Sequence, residues 1–261
     1  MALTGAGAST NSGIGDYRDS AGAWKRAAPV QHQDFMRSPA WRRRYWARSQ
    51  RGYPEFRRAR PNAAHTALAR LEAGGNLRGV ITQNVDGLHQ QAGQRQVIDL
   101  HGRLAYVVCT ACGDRLERDV LQDWLEMRNA AVADAAFAAA PDGDADLVAV
   151  DYDAVQVPDC ERCGGILKPD VVFYGDSVPK ARVQNAYAWV DEADALLIVG
   201  TSLMVFSAFR FVRRAHERGI PIVLLNDGHT RADELVTVKV PGDCGVSMTA
   251  LAAALTAPAG V

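Results

Sequence analysis

The chain has 261 residues, of which 48% are hydrophobic and 23% are charged, and its 29 basic and 30 acidic side chains nearly cancel. This composition excludes disordered and collagen-like proteins, and the length suits one large domain, alone or with a smaller inserted unit. A net charge near zero argues against direct binding to nucleic acid or to an anionic membrane, because phosphate-rich surfaces are bound through a strong basic excess.

No stretch of the sequence predicts a membrane span or an export signal. The longest apolar run, at 195–199, is followed by the polar segment 200–202, so nothing reaches the roughly 20 residues that a membrane-spanning helix needs. Residues 1–5 lack the basic region and the apolar region of a signal peptide. We therefore predict a cytoplasmic protein, and we expect it to be a monomer.

The first predicted strand is unusually short. Only residues 1–4 precede a glycine-rich segment, whereas a first strand of this kind is ordinarily central in its sheet and about 5–6 residues long. Either the strand is clipped here or residues upstream of this start are missing.

Short apolar runs alternate with amphipathic segments along most of the chain. The runs lack the polar alternation of half-exposed strands and predict strands buried on both faces; they lie at 79–82, 96–100, 171–174, 195–199, 221–225 and 235–240. Between them, apolar residues three to four apart and suitable stop signals predict helices at 63–73, 181–192 and 206–218. This alternation predicts an α/β fold with a Rossmann-like, doubly wound parallel sheet.

Two segments interrupt the alternation and predict inserted units. Residues 17–61 are rich in Arg, Trp and Tyr without a strand-like run, and they predict a small helical module. Residues 102–170 contain four cysteines and predict a small zinc-binding module. The Rossmann-like domain would then consist of residues 1–16, 62–101 and 171–261.

Four of the five cysteines form two Cys-x-x-Cys pairs, Cys109/Cys112 and Cys160/Cys163. In a reducing compartment this spacing predicts a metal site rather than disulfide bonds. Four thiolates suit the tetrahedral coordination of Zn²⁺ and leave no open position, so the zinc would be structural. The intervening segment 113–159 is longer than in a simple zinc ribbon, and redox-active or incidental cysteines are the alternative.

The segment 5–7, Gly-Ala-Gly, begins like the fingerprint of a dinucleotide site. Its two glycines would let backbone amides approach a pyrophosphate, and the hydroxyls of Ser9, Thr10 and Ser12 would add donors. However, Thr10 replaces the third glycine of the fingerprint, and no strand ending in an acid follows about 20 residues later. These departures argue against an ordinary NAD dehydrogenase and leave a tight strand-to-helix turn as the alternative.

Polar residues follow further predicted strands, at the sheet edge where α/β folds bind ligands. Asn84 and Asp86 would present an amide and a carboxylate to one ligand, and His101 is the best candidate for a general base because its unperturbed pKa is about 6.5. The segment 200–202 offers backbone amides and two hydroxyls to phosphate or ribose, and Asn226 ends the next strand. Each residue also has an ordinary structural explanation, such as a turn, a helix cap or a loop histidine.

The acidic segment 142–146, Asp-Gly-Asp-Ala-Asp, matches a calcium-binding loop only in part. Leu147 replaces the glycine of such a loop, and Asp153 stands at the twelfth position, where a glutamate is required. We therefore interpret the segment as a solvated acidic loop.

Together the motifs resemble those of the sirtuins, the NAD-dependent protein lysine deacylases, over nearly the whole chain. In chain order they are the segments 5–18 (Gly-Ala-Gly-x-Ser-Thr-x-Ser-Gly-Ile-x-Asp-Tyr-Arg), 82–86 (Thr-Gln-Asn-Val-Asp), 101–102 (His-Gly), the two cysteine pairs, 168–173 (Lys-Pro-Asp-Val-Val-Phe), 200–203 (Gly-Thr-Ser-Leu) and Asn226. The forms at 16–18, 43–48, 141–144 and 163–165 are most similar to class II, the mitochondrial and bacterial branch. Ala8 and Gly15 depart from the Ile and Pro that are usual in the family.

The resemblance implies a Rossmann-like NAD domain with a zinc module and a helical module packed across a cleft. It implies a set of cofactor-binding residues, namely Gly5, Ala6, Gly7, Thr10, Asp16, Tyr17, Arg18, Gln83, Asn84, Asp86, Gly200, Thr201, Ser202, Asn226 and Cys244. It also implies that a peptide is clamped as an added strand by Val171, Val172, Phe173, Tyr174, Gly175 and Val205.

Tyr45 and Arg48 have the spacing at which sirtuins that prefer acidic acyl groups place a carboxylate-binding pair. On a helix both side chains would project toward one side. The alternative is that Tyr45 packs inside the helical module and that Arg48 is solvated.

The resemblance further implies a reaction in which NAD is consumed as a co-substrate and acyl-lysine proteins or peptides are the partners. The acyl oxygen attacks the nicotinamide ribose, nicotinamide leaves, and His101, with Asn84 as the second catalytic residue, acts as general base on a ribose hydroxyl. One zinc ion would be structural. The alternatives are protein mono-ADP-ribosyl transfer and a zinc-stabilised binding module that senses NAD without turnover.

Overall fold

The computed structural model of the protein describes residues 1–15 and 30–256. Within these ranges the strands are, in chain order, β1 Ala2–Thr4, β2 Val80–Thr82, β3 Val97–Asp99, β4 Gly102–Cys109, β5 Arg115–Glu117, β6 Phe137–Ala139, β7 Ala145–Leu147, β8 Leu167–Val171, β9 Leu196–Val199, β10 Ile222–Leu225 and β11 Val238–Val240. The α-helices of the same ranges are α1 His32–Arg37, α2 Pro39–Arg58, α3 Ala63–Ala73, α4 Leu88–Gln91, α5 Arg118–Arg128, α6 Ala130–Ala133, α7 Lys180–Asp191, α8 Phe206–Glu217 and α9 Cys244–Thr256. None of these described helices has both the length and the apolar character needed to cross a membrane.

The parallel sheet has the strand order β11-β10-β9-β1-β2-β3. Its central strand β1 has three residues, all completely buried, and Thr4 at its carboxyl end pairs with Thr82 of β2 and Val199 of β9. The predicted Rossmann-like, doubly wound sheet is confirmed. Because the strand order reverses between β1 and β9, the loops after β1, β2 and β9 leave the same edge side by side, which is where such folds bind ligands.

Helices cover both faces of this sheet. On one face, Leu3 and Phe211 belong to a continuous apolar cluster that β1 shares with α7 and α8. On the other face, Ala2, Leu68 and Met248 belong to a cluster that β1 shares with α3 and α9. Neighbouring residues of β1 enter different layers because successive side chains of a strand point to opposite faces.

A second sheet is antiparallel and has the order β5-β4-β8. The prediction of a buried parallel-sheet strand at 171–174 is wrong, since β8 ends at Val171 and pairs with β4 in this second sheet. An apolar run predicts a strand, but it does not specify which strand will be its partner. The boundaries proposed above for the Rossmann-like domain, the helical module and the zinc module stay predictions.

Helix α2 contains a proline that would normally break it. Pro39 is its first residue, where the missing N–H costs nothing. Pro54 lies inside the helix and cannot donate a hydrogen bond to the carbonyl of Gln50, four residues earlier. The side-chain nitrogen Nε2 of Gln122 on α5 donates to that carbonyl at 2.8 Å. The helix therefore continues past Pro54 without leaving a buried acceptor unsatisfied.

Candidate functional site

The loops at the carboxyl edge of the parallel sheet open into a cleft with a volume of about 1580 Å³. Residues of α2, the segment after β8 and the 3₁₀ turn Pro141–Gly143 line the same cleft. The predicted residues that line it are Ala6, Gly7, Thr10, Tyr45, Arg48, Gln83, Asn84, Asp86, His101, Val171, Val172, Phe173, Tyr174, Gly175, Gly200, Thr201, Ser202, Val205, Asn226 and Cys244. Asp16, Tyr17 and Arg18 lie outside the described residues, and Gly5 is not among the residues that line the cleft.

The loops after β1 and β9 pack backbone against backbone. Gly200 has a φ of +62°, and a Cβ atom there would lie 2.3 Å from the nitrogen of Ala8. The N–H of Gly7 donates to the carbonyl of Gly200 at 2.8 Å. A Cβ on Gly5 would lie 2.6 Å from that of Thr201. Glycine is therefore required for this close approach, and the two loops form one continuous backbone surface on the cleft.

Asn84 and Asp86 belong to one hydrogen-bond network. The side-chain nitrogen of Asn84 donates to the carbonyl of Gly5 and to the hydroxyl of Ser9, each at 3.0 Å. The Ser9 hydroxyl donates to Oδ2 of Asp86 at 2.7 Å, while Oδ1 accepts from the N–H of Leu88 at 2.9 Å. The network holds the amide and the carboxylate at one end of the cleft, beside the glycine loop.

Gln83 connects the loops after β2 and β9. Its side-chain nitrogen donates to Oγ1 of Thr201 at 2.9 Å and to the carbonyl of Thr4 at 3.2 Å. The same Thr201 oxygen accepts from the N–H of Leu203 at 3.1 Å. Because two donors already use this oxygen as an acceptor, the hydroxyl proton of Thr201 is left to donate.

The hydrogen bonds of His101 determine which ring nitrogen is basic. Nδ1 lies 3.0 Å from the carbonyl of Gln83, and a carbonyl only accepts, so Nδ1 carries the proton. Nε2 is then the unprotonated nitrogen and accepts from the hydroxyl of Ser207 at 2.8 Å. Burial lowers the pKa of His101 to about 4, against the opposing effect of the Gln83 carbonyl. At neutral pH, His101 is therefore a neutral base.

Two buried histidines, His65 and His89, lie next to the Asn84 network, with ring centroids 4.8 Å apart. Thr4 donates its hydroxyl proton to Thr82 at 2.9 Å, so its oxygen accepts from Nε2 of His89, also at 2.9 Å. Burial, with a smaller contribution from His65, lowers the pKa of His89 to about 3. Burial also lowers the pKa of His65, against the opposing charge of Asp86, so both rings are neutral in the folded protein at neutral pH.

Acidification is expected to destabilise the fold through His89. An unfolded histidine takes up a proton below a pH of about 6.5, whereas folded His89 does so only near 3. The free energy of unfolding should therefore fall as the pH drops through this window, by about 1.4 kcal/mol per pH unit for this group. Urea unfolding at pH 7, 6 and 5 measures the slope, which should be smaller by about 1 kcal/mol per pH unit on average in His89→Gln, because the unfolded histidine is only partly protonated between pH 7 and 6.

A matched control is His216→Gln, because His216 is exposed on α8. This substitution should leave the pH dependence of the wild type unchanged. Identical slopes for His89→Gln and the wild type would contradict the prediction.

The segment 171–175 runs along the cleft with its backbone anchored on both sides. The N–H of Val172 donates to the carbonyl of His101 at 2.8 Å. The carbonyl of Tyr174 accepts from the N–H of His32 on α1, also at 2.8 Å. The segment is thereby tied both to the proposed base and to the helical part of the chain.

Aromatic rings hold the middle of this segment. The ring of Phe173 lies 5.3 Å from that of Phe35 and 5.2 Å from that of Tyr45, both in edge-to-face contact. Val205, in extended backbone just before α8, lines the same cleft. The role of this segment and of Val205 in clamping a peptide stays a prediction.

Tyr45 and Arg48 both line the cleft, but other protein groups already contact them. Tyr45 is buried, which raises the pKa of its hydroxyl. The guanidinium of Arg48 donates to both carboxylate oxygens of Asp144, at 2.8 and 2.7 Å, and lies 2.9 Å from Asp146. The interpretation of 142–146 as a solvated loop is wrong for Asp144, whose side chain is 27% exposed and binds Arg48, while Asp146 is 53% exposed and lines the cleft beside it.

The remaining predicted positions lie along the cofactor side of the cleft. Thr10 closes its turn by donating to the carbonyl of Gly7 at 3.0 Å. Ser202 and Asn226 follow β9 and β10 and line the cleft. Cys244 begins α9, and burial raises the pKa of its thiol to about 11. At neutral pH this thiol is protonated, which makes it a poor nucleophile.

Two more hydroxyls complete the site, one predicted from the sequence and one not. Ser9 lies within the glycine-rich motif, so the motif itself marks it as a potential donor. Ser207 lies in the first turn of α8 and is 106 residues away from its partner His101 along the chain. No local pattern marks Ser207, and only the packing of α8 against the sheet brings it to the base.

The four paired cysteines form a separate cluster, and none of them lines the cleft. Their sulfur atoms lie within 4.8 Å of one another, with 3.5 Å between Cys109 and Cys163 and 3.8 Å between Cys112 and Cys160. Four sulfurs around one tetrahedral Zn²⁺ are about 3.8 Å apart. The cluster fits a structural zinc site.

The Sir2 family model matches residues 5–207. NAD-dependent protein deacetylase 2 of Bradyrhizobium diazoefficiens is 57% identical over 95% of this chain and 91% of its own length. The NAD-dependent protein deacetylase of Xanthomonas campestris pv. campestris is 55% identical over 95% of this chain and 85% of its own. The mitochondrial NAD-dependent protein lipoamidase sirtuin-4 of Bos taurus is 46% identical over 94% of this chain and 79% of its own.

Solved structures have the same fold. A Sir2 homologue in complex with NAD superposes with a TM-score of 0.75 at 32% identity, covering 97% of this chain and 88% of that one. A Sir2 protein in complex with a p53 peptide and NAD⁺ has a TM-score of 0.76 at 29% identity, covering 96% of this chain and 90% of that one.

Proposed function

Because the chain belongs to the Sir2 family, we propose that it is an NAD-dependent protein lysine deacylase that produces free lysine, nicotinamide and O-acyl-ADP-ribose. One observation carries this proposal. His101, with Nε2 unprotonated, shares a single cleft with the amide and carboxylate of the Asn84 network and with the two glycine-bearing loops. A base and a surface suited to a dinucleotide are thus parts of the same site.

The residues present fit NAD, which supplies an ADP-ribosyl group and nicotinamide as a leaving group. The packed loops at Gly7 and Gly200 form a side-chain-free surface of the kind a pyrophosphate requires. Thr201 keeps a hydroxyl proton to donate there. The side-chain nitrogen of Asn84 already donates to Gly5 and Ser9, so Asn84 and Asp86 would offer oxygen acceptors to the nicotinamide amide. Ser202, Asn226 and the backbone at Cys244 would hold the ribose and adenine.

His101 would act as the general base. The Gln83 carbonyl holds the proton on Nδ1, so Nε2 is the nitrogen available to take a proton from a hydroxyl group in the cleft. In the structure the hydroxyl that occupies Nε2 is that of Ser207. A ribose hydroxyl would replace Ser207 at this nitrogen, and the zinc cluster, remote from the cleft lining, would take no part.

Mass spectrometry tests this function directly. Acetyl-, succinyl-, glutaryl-, lipoyl- and long-chain acyl-lysine peptides are incubated with the protein, with and without NAD. Deacylated peptide with stoichiometric nicotinamide and O-acyl-ADP-ribose is the expected result. Nicotinamide release with ADP-ribosylated protein and no deacylation would favour mono-ADP-ribosyl transfer, and NAD binding with no product would favour a non-catalytic module.

Ser207→Ala is expected to raise the pKa of His101. The Ser207 hydroxyl donates to the lone pair of neutral His101, so it stabilises the unprotonated form, and one such bond contributes about 1 kcal/mol. The acid limb of kcat/KM, which reports the base in the free enzyme, should therefore move up by roughly 0.5–1 pH unit.

The control for this prediction is Ser207→Thr, which keeps the hydroxyl and should retain the acid limb of the wild type. If the acid limb of kcat/KM lies at the same pH in the wild type and both variants, Ser207 does not affect the pKa of His101.

We also propose that the protein acts in the cytoplasm as a monomer, without binding nucleic acid or a membrane. Its formal net charge of −1 offers no excess of positive charge to anionic partners. Paired cysteine thiols that bind a metal suit a reducing compartment. Light scattering coupled to size-exclusion chromatography should give a single species of 28.2 kDa, and a dimer mass would contradict the proposed monomer.

A further inference from the structure

Strands β6 and β7 form an antiparallel hairpin whose tip reaches the cleft. We refer to residues 137–147 as the acidic hairpin, because Asp142, Asp144 and Asp146 all lie at or next to its tip. The N–H of Ala140 donates to the carbonyl of Asp144 at 3.0 Å and closes the tip. All three carboxylates line the same cleft as His101.

The hairpin tip packs directly on helix α2. A Cβ atom on Gly52 would lie 2.3 Å from the carbonyl oxygen of Asp144 and 2.5 Å from that of Gly143. Only a glycine at this position of α2 lets the backbone of the tip approach so closely. Arg48 lies one turn earlier, on the same side of the helix as Gly52. Gly52, on which the hairpin packs, and Arg48, which the hairpin contacts, therefore lie on the same face of α2.

Asp144 contacts Arg48 in the way that a carboxylate ligand would. Nε and Nη2 of Arg48 donate in parallel to Oδ1 and Oδ2 of Asp144, at 2.8 and 2.7 Å. Nη2 also lies 2.9 Å from Oδ1 of Asp146. The side chains of Arg48 and Asp144 are 17% and 27% exposed, so water screens this pair only in part. One positive charge thus faces two negative charges, and the Nε–Nη2 edge of the guanidinium, which would bind a carboxylate with two parallel hydrogen bonds, is already used.

Asp142 shows how unfavourable this wall is to a further negative charge. Its backbone is in the left-handed region, with a φ of 57°, and its carboxyl group lines the cleft. Burial, and then the charge of Asp144, raise the pKa of Asp142 to about 7. A further carboxylate brought to this wall would meet the same unfavourable surroundings.

We propose that the acidic hairpin, through Asp144 and Asp146, makes this cleft select uncharged acyl groups and reject acyl groups that end in a carboxylate. Asp144 acts as an internal carboxylate on Arg48, so an acidic acyl chain finds the arginine occupied and two aspartates beside it. The proposal rests on the proposed deacylase function, whose substrate class it specifies. Asp144 and Asp146 are then specificity-determining residues.

The test compares acetyl-lysine and glutaryl-lysine in one peptide sequence, with the full-length zinc-loaded protein and saturating NAD. In the wild type, kcat/KM for the glutaryl peptide should be lower than for the acetyl peptide. In the double variant Asp144→Asn and Asp146→Asn, the glutaryl-to-acetyl ratio of kcat/KM should rise roughly 10- to 100-fold, the size of one charge-assisted hydrogen-bonded pair.

Two further variants separate the contact from a general charge effect. Adding Arg48→Gln to the double variant should return the ratio to near its wild-type value, because the gain depends on a freed arginine. The matched control is the double variant Asp123→Asn and Asp134→Asn. It also removes two negative charges from this part of the chain, but neither residue lines the cleft. It should leave the ratio unchanged.

Binding of the two peptides to the same proteins, measured by fluorescence polarisation, gives a readout that does not need turnover. A wild type that accepts both acyl groups equally, or a double variant with an unchanged ratio in binding and turnover, would overturn the proposal. If no peptide is deacylated but the binding ratio still shifts toward the glutaryl peptide, the deacylase function fails while the selection by the hairpin stands.

Discussion

His101→Ala is expected to reduce kcat for deacylation by roughly 10²–10⁴-fold, the usual contribution of a positioned general base. The reason is specific to the ring orientation. The Gln83 carbonyl keeps the proton on Nδ1, and burial keeps the ring neutral, so Nε2 is a proton acceptor throughout the neutral range. Alanine removes that acceptor and leaves only the hydroxyl of Ser207 at the same place, which is a far weaker base.

The measurement is single-turnover deacylation followed by mass spectrometry, together with NAD binding by calorimetry. Binding should change little, because the loops at Gly7 and Gly200 do not depend on the His101 ring. Exchange of labelled nicotinamide into NAD should fall less than deacylation, since the base acts after nicotinamide has left.

His216→Ala is the control, as His216 is a histidine on the exposed side of α8. It should retain wild-type rates. A His101→Ala protein that deacylates within threefold of the wild type would exclude His101 as the base and would favour direct ADP-ribosyl transfer, which needs no such step.

Cys160→Ser is expected to abolish zinc binding and to unfold the region around β4, β5 and β8. Structural Zn²⁺ sites contribute about 10–16 kcal/mol of apparent binding free energy in isolated zinc-finger peptides, which exceeds what small apolar clusters supply. Cys109 and Cys160 are both buried in the cluster that also includes Phe35 and Trp46, so loss of the metal should loosen the packing of the helices α1 and α2 as well.

Zinc content by atomic emission and thermal unfolding by circular dichroism measure this effect. A loss of even about 4 kcal/mol corresponds to a decrease in Tm of roughly 8–16 °C for a chain of this size. Cys244→Ser is the matched control, because Cys244 lies outside the cluster, and it should keep one zinc ion per chain. A Cys160→Ser protein with full zinc content and an unchanged Tm would contradict a structural metal site.

The sequence predicted the parallel sheet and its two helix layers well. Buried runs such as 195–199 and amphipathic segments such as 63–73 carry strong local signals, and the helix at 63–73 begins and ends as predicted. The strand at 171–174 was assigned to the wrong sheet, since hydrophobicity reports burial and not the pairing partner. The last strand also begins later than the predicted 235, at Val238.

The convergence of Asn84, Asp86 and His101 could be expected from their positions alone. Each follows a parallel strand, and the carboxyl ends of such strands meet at one edge. No pattern in the sequence predicts the contact of Ser207 with His101, because this contact depends on how α8 is rotated relative to β3 and its neighbours. The same limit applies to the partners of Arg48, which pattern and spacing left open between a substrate carboxylate and solvent.

The sequence by itself determined the Rossmann-like fold, the cysteine set of the zinc site and the family. Each of these depends on residue types at short, fixed spacings along the chain, which can be recognised without knowing the tertiary structure. Only the tertiary structure decided that Arg48 faces Asp144 and Asp146 rather than an empty pocket. Arg48 and Asp144 are 96 residues apart along the chain. Their contact depends on Gly52, which lets the hairpin approach the helix closely. A contact between backbone segments that are distant in the chain produces no periodic pattern of residues, so the sequence does not predict it.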